Sequence, residues 1–201
     1  VAPTIEAFGN GLVPGDRIVR SGRALLLPAY KGTLERGPGA YYHWLGQPNR
    51  WKGMNIQWSK DLGRSLDYLE TRKDVDPGRI AYLGRSLGAS VGPYLLALEP
   101  RIKTAVLLSG GSFEKVPPEV DAWNFASRVR VPVLMLNGRD DFLFPVESSQ
   151  LPTFRLLGTA ERHKKHILYA GAHGIYKQLD VVKDMLDWLD RYLGPVDGST
   201  R

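Results

Sequence analysis

Three residue types that can act together stand at three separate places in this sequence. Ser86 lies in Gly84-Arg85-Ser86-Leu87-Gly88. The apolar run Ile80 to Leu83 precedes it, and Val91 to Leu98 reads as helix. A serine flanked by glycines at a strand-to-helix turn is a nucleophile elbow. A serine hydroxyl is a weak nucleophile and needs a base within hydrogen-bond reach. The sharp turn exposes it. The free N–H groups and positive dipole end of the next helix then face the reacting centre.

Such turns are common, so the motif gains weight only with an acid and a histidine at equivalent places. Asp140 and Asp141 follow the apolar run Pro132 to Asn137, and His173 follows Lys165 to Tyr169. In an open α/β sheet, functional groups gather beyond the carboxyl ends of the strands. The chain order is Ser, Asp, His, and each gap is about one strand-helix unit or a little more. The implied chemistry is acyl transfer. His173 takes the Ser86 proton and returns it to the leaving group. An aspartate holds the imidazole tautomer, and the Leu87 N–H donates to the oxyanion. Each residue also has a plain structural reading: Ser86 as a helix N-cap, the aspartates as caps or turn residues, His173 as a loop residue. The coincidence of all three at eligible strand ends, in this order, favours the chemical reading.

The elements that must position these groups alternate between strand and helix. Continuous apolar runs predict parallel strands buried on both faces at Ala24 to Tyr30, Arg79 to Gly84, Lys103 to Ser109, Pro132 to Asn137 and Lys165 to Tyr169. Helices are predicted over Ile56 to Arg72, with Ile56, Leu62, Leu66 and Leu69 inward, and over Ser86 to Leu98, where Pro93 should kink or shorten the helix. Val146 to Leu157 is a third helix, with a break near Pro152. The last is Ile175 to Tyr192, with Leu179, Val182, Leu186 and Leu189 inward. Residues 1–20 give no clear element, and the tail from 195 reads as disordered. Lys31 to Asn55 reads as a long loop. Its Tyr41, Tyr42, Trp44 and Trp51 either line a pocket or pack the loop down. Arg85, beside the serine, is a further substrate-binding candidate. The fold class is α/β, three layers around a mostly parallel sheet, in one domain over residues 1–201.

Composition narrows the function. At 201 residues, 43% apolar and 24% charged, the chain can bury a substantial core. The net charge of +6 reads as a solvated basic surface rather than a nucleic-acid site. The densest cluster, Arg162 to His166, is short and lacks interleaved aromatics, so it reads as a loop. No run is long and apolar enough to span a membrane, and no signal-peptide pattern appears, so the expected location is cytoplasmic. With no cysteine, a thiol nucleophile and cysteine-ligated metal are excluded. No His/Asp/Glu pair has ligand spacing, so neither metal nor other cofactor is expected. His43, His163 and His166 follow no strand end and are weaker candidates for the base.

The sequence resembles the α/β-hydrolase superfamily, within it the dienelactone-hydrolase-like and prolyl-oligopeptidase-like esterases and peptidases. The matching stretches are Asp76-Pro77-Gly78-Arg79-Ile80 leading into the elbow, Leu136 to Asp141 with Pro145, and Gly171-Ala172-His173-Gly174. The resemblance covers roughly residues 22 to 193 and implies Asp141, not Asp140, as the acid. It also implies several strands before the one that Ala24 to Tyr30 resembles, and a second oxyanion donor from a loop, often His-Gly. This sequence has no such stretch. Either the usual N-terminal strands are lacking, or this strand fills the central position and a Tyr30 or Lys31 group could donate instead. With no second donor at all, the hydrolase would be weak. An open sheet edge would invite a second subunit.

Ser109 to Val131 leaves no room for a large cap domain. The expectation is a carboxylesterase for small, short-acyl esters, with no cofactor, nucleic acid or membrane partner. The alternatives are a peptidase or amidase with the same three groups, and a non-catalytic module on the same fold.

Overall fold

The computed structural model describes residues 15–37, 47–113, 116–175 and 178–196. Four strands form one parallel sheet in the order β1-β2-β3-β4: β1 Ala81–Arg85, β2 Thr104–Leu108, β3 Val133–Gly138 and β4 Lys164–Tyr169. All four therefore end at one rim. Every residue of β2 and β3 is buried, as expected for strands covered on both faces. Alternation splits their side chains between two cores. Ala105, Leu107, Val133 and Met135 face one side, while Val106, Leu108, Leu134 and Leu136 face the other.

The first core is covered by α2 (Pro48–Thr71) and α3 (Leu87–Leu98), the second by α1 (Gly15–Arg20) and α6 (Leu179–Leu193). Two shorter helices, α4 (Ala122–Ala126) and α5 (Leu151–Leu156), lie between strands β2 and β4 in the chain. Each large aliphatic side chain buried in these cores stabilises the fold by roughly 1.5–3 kcal/mol.

Several boundaries depart from the sequence reading. Ala24 to Tyr30 forms no strand, and Leu26 and Leu27 are partly exposed. A strand needs a ladder partner, and Pro28 has no N–H to give one. Helix α2 begins eight residues before the predicted Ile56 and draws its buried face from Trp51, Asn55, Trp58, Leu62 and Leu66. Ile56 is exposed. Pro93 does not interrupt α3, whose residues Ala89 to Leu96 are all buried; packing on every side outweighs one lost hydrogen bond. In α6 the buried residues are Val181, Val182, Met185, Trp188 and Leu189, while Leu179, at the first turn, is exposed. Strand β4 starts one residue before the predicted Lys165, so of the basic cluster Arg162 to His166 only Arg162 and His163 lie outside the strand. Helix α1 gives the N-terminal region an element the sequence did not reveal. Tyr41, Tyr42, Trp44, His43 and the tail from 197 lie outside the described residues.

Candidate active site

The turn after β1 is built by close contact. Ser86 has φ 51° and ψ −113°, a conformation costly for a residue with a side chain. Neighbouring bonds hold it there. Its N–H donates to Leu108 O at 2.9 Å, anchoring the turn to β2, and its carbonyl accepts from Ser90 N at 2.9 Å. A Cβ on Gly84 would lie 2.6 Å from the carbonyl carbon and oxygen of Gly88, so only glycine fits there. The Tyr82 hydroxyl donates to that same Gly88 oxygen at 2.7 Å. Position 88 itself is roomier: a Cβ would meet nothing closer than the Tyr82 hydroxyl at 3.6 Å. Of the two flanking glycines, crowding explains Gly84 alone.

Ser86 occupies the N-cap position of α3, yet its side chain caps nothing. Its Oγ lies 2.9 Å from His173 Nε2. His173 Nδ1 in turn lies 2.8 Å from Asp141 Oδ2. A carboxylate can only accept, so Nδ1 carries the proton of the neutral ring and Nε2 is free to accept from Ser86. Asp141 is buried, and its second oxygen accepts from Leu143 N at 3.0 Å and Phe144 N at 3.2 Å. Asp140 is exposed and serves the loop: its N–H donates to Gly171 O, and its carboxylate accepts from Gly171 N. The three groups named from the sequence thus form one hydrogen-bonded series, through Asp141 and not Asp140.

Two glycines bring these loops together, a packing role that sequence reading assigned to neither. A Cβ on Gly138 would sit 2.2 Å from Ala172 O, so the histidine loop rests directly on the end of β3. A Cβ on Gly110 would sit 2.3 Å from the Ala89 side chain, where β2 meets the first turn of α3. Their signal was available: both come within two residues of the end of an apolar run. Phe144, Asn137 and Gln150 were also missed. The Phe144 ring packs on His173 with centroids 5.8 Å apart. Asn137 Nδ2 donates to Gly110 O at 2.7 Å, joining the ends of β3 and β2. Gln150 gave no local pattern.

Other candidates fall elsewhere. Trp51 is a core residue, 3% exposed, packed edge-on against Trp58 and Phe113. The rings Phe113 and Phe144 link it to His173. The Lys31 N–H donates to Asp61 Oδ2 at 2.7 Å, so that amide is committed away from an oxyanion. The Tyr30 N–H donates to Pro28 O. The Tyr30 side chain packs into the first core and borders the same cavity as Ser86. Burial, and secondarily Asp61, raise its phenol above the ordinary range. Burial first, then Tyr30, does the same to Tyr82 beneath the elbow. Both phenols therefore stay protonated and able to donate. Leu87 opens α3, where the first N–H groups have no partner within the helix. Arg85 ends β1 and borders the cavity.

That cavity, about 1410 Å³, follows the outer edge of β1 from Ser86 toward Val196. It exceeds the usual ~300–1,000 Å³ of a small-molecule site. Among the described residues no strand pairs with that edge of β1. Nor, among them, does any group of three His, Cys, Asp or Glu side chains converge to hold a metal. No described helix is long and apolar enough to cross a membrane.

A parallel sheet between helical layers, with a serine at a strand-to-helix elbow, is the α/β-hydrolase fold. No family model matches the chain. The solved structure of a cold-adapted esterase from an Arctic intertidal metagenomic library superposes with a TM-score of 0.59 at 27% identity, covering 73% of this chain and 64% of the esterase. Cutinase 2 of Thermobifida cellulosilytica is 25% identical over 219 aligned residues, which take in 98% of this chain and 77% of the cutinase. An uncharacterised protein of Mycobacterium tuberculosis is 27% identical over 201 aligned residues, 89% of this chain and 66% of that protein. The chain thus spans about two thirds of the mycobacterial relative and of the esterase.

Proposed function

We propose that this chain is a serine hydrolase that cleaves small, short-acyl carboxylic esters through an acyl-enzyme. One observation carries the proposal: Ser86 Oγ is aimed at His173 Nε2, itself aligned by Asp141, instead of capping the helix it begins. The strain at Ser86 fits this reading, because backbone strain persists where surrounding structure enforces it for use. The similarity to an esterase and a cutinase supports ester cleavage.

In the proposed reaction His173 takes the Ser86 proton as Oγ attacks the ester carbonyl. Negative charge moves to the carbonyl oxygen, where the Leu87 N–H donates. The imidazolium, stabilised by Asp141, then protonates the leaving alcohol, and the acyl group stays on Ser86. Water, activated by the same imidazole, releases the acid and restores the serine. With the Lys31 amide engaged by Asp61, the Tyr30 hydroxyl is the second oxyanion donor of this scheme. Arg85 borders the cavity as a substrate contact.

The test is hydrolysis of p-nitrophenyl acetate and butyrate by the wild type and Ser86→Ala. The variant should lose about 10⁴–10⁶ in kcat. Equal rates would sink the assignment. The edge of β1, unpaired among the described residues, further favours pairing with a second copy of this chain. Light scattering at twice the chain mass is the expected result, and a strictly monomeric species overturns that pairing.

A further inference from the structure

We infer that Gln150 is a positioning residue: its side-chain amide clamps shut the loop that carries Asp141 and so sets the aim of that carboxylate at His173. The inference rests on the role proposed above for those two groups.

The loop runs from Gly138, the last residue of β3, to Phe144. Gln150 is fully buried. Its Nε2 donates to Gly138 O at 3.1 Å and to Phe144 O at 2.7 Å, the two ends of the loop. One rigid amide therefore fixes the distance between them. Phe144 is the joint through which the clamp acts. Its N–H donates to Asp141 Oδ1, its carbonyl accepts from Gln150, and its ring packs on His173. The other end is held equally closely, since Gly138 lies against the backbone of Gly171 and Ala172. Movement at either carbonyl would therefore displace the acid, the base, or both.

The backbone that presents Gln150 is unusual as well. Val146–Gln150 is a π-helical turn, with the Leu151 N–H returning to Val146 O. Such wide turns are rare and frequently sit at functional sites. Among the described residues Gln150 Oε1 has no hydrogen-bond partner. Burying an unmatched acceptor is unfavourable, and a methionine of similar length would fill the space without it. The glutamine is explained by its two donated bonds, both of which go to the acid loop.

The test compares the wild type with Gln150→Met, and with Gln150→Leu should the methionine chain not fold. The control is Thr153→Val, a buried polar change one turn away that leaves the loop bonds intact. On p-nitrophenyl butyrate, kcat should fall about 10–100-fold with KM within about twofold, the size expected for slight misplacement of a catalytic group. The low-field proton NMR signal of His173 Nδ1–H should move upfield or broaden, because a mis-aimed carboxylate holds that proton less closely. Thr153→Val should lower the melting temperature but move neither readout. A purely structural Gln150 would behave like Thr153→Val, and that outcome overturns the inference. The Nδ1–H signal needs no turnover, so it still decides the point if wild type cleaves no ester. In wild type, both Nε2 protons should exchange slowly with solvent; fast exchange of either also overturns the clamp.

Discussion

The two halves of the candidate site are held with unequal care. On the β3–β4 side every group is fixed more than once. Asp141 accepts two backbone N–H groups besides His173, Gly138 supports the histidine loop, and Asp140 ties itself to Gly171. On the β1 side the elbow is crowded and well fixed, but beyond it lie a strand edge unpaired among the described residues and a wide groove. The proton-relay half is preorganised by its own bonds. The oxyanion half, in the proposed reaction, rests on one helix N-terminus and a tyrosine. In the proposed reaction, alignment of the base and charge stabilisation are therefore separable by mutation.

The largest effect should fall on the well-built half. Asp141→Asn should lower kcat about 10⁴-fold, the loss known for a mis-set tautomer, while Asp140→Asn stays within a few-fold of wild type. Steady-state ester hydrolysis distinguishes them, and equal losses would erase the distinction drawn from burial. Next comes the sparser half. Tyr30→Phe should reduce kcat about 10²–10³-fold with little change in melting temperature, as removal of one oxyanion donor does. An unchanged kcat would leave Leu87 as the only donor.

The elbow joins the halves, and its two glycines should respond differently. Gly84→Ala should destabilise by about 3 kcal/mol or more, because backbone cannot yield as a flexible side chain does. Gly88→Ala should stay within about 1 kcal/mol of wild type, since alanine is the better helix former. Thermal unfolding reads both. A well-folded Gly84→Ala chain would contradict the contact with Gly88.

The smallest effect concerns stability away from the site. Burial lowers the pKa of His166 from 6.5 to about 4, so the folded chain keeps it neutral. Between those values the unfolded chain binds a proton that the folded chain does not. The contribution is full above about pH 6.5 and is lost as pH falls through about 4. Denaturant melts from pH 7 to 4.5 should show falling stability, and His166→Leu should flatten the slope.

Much of this arrangement was legible in the sequence. Pro132 to Asn137 and Lys103 to Ser109 read as parallel strands because strands covered on both faces leave an unbroken apolar run. Ser86, His173 and the pair Asp140 and Asp141 were visible because parallel strands send their ends to one rim; the choice of Asp141 came from the family resemblance. Ala24 to Tyr30 has the same composition and failed as a strand. An apolar run states that burial is available, not that a ladder partner exists. Trp51 was ambiguous because aromatics serve pockets and cores alike, and helix α2 turns it into the core. Gln150 was invisible, since its partners Gly138 and Phe144 are backbone carbonyls that leave no mark in the sequence.

The central claim is tested most directly by a fluorophosphonate probe, read by intact-mass and peptide mass spectrometry. The account predicts one adduct, on Ser86, in the wild type, and none in His173→Ala under the same conditions. Labelling that persists without the imidazole, or that falls on another residue, would contradict it.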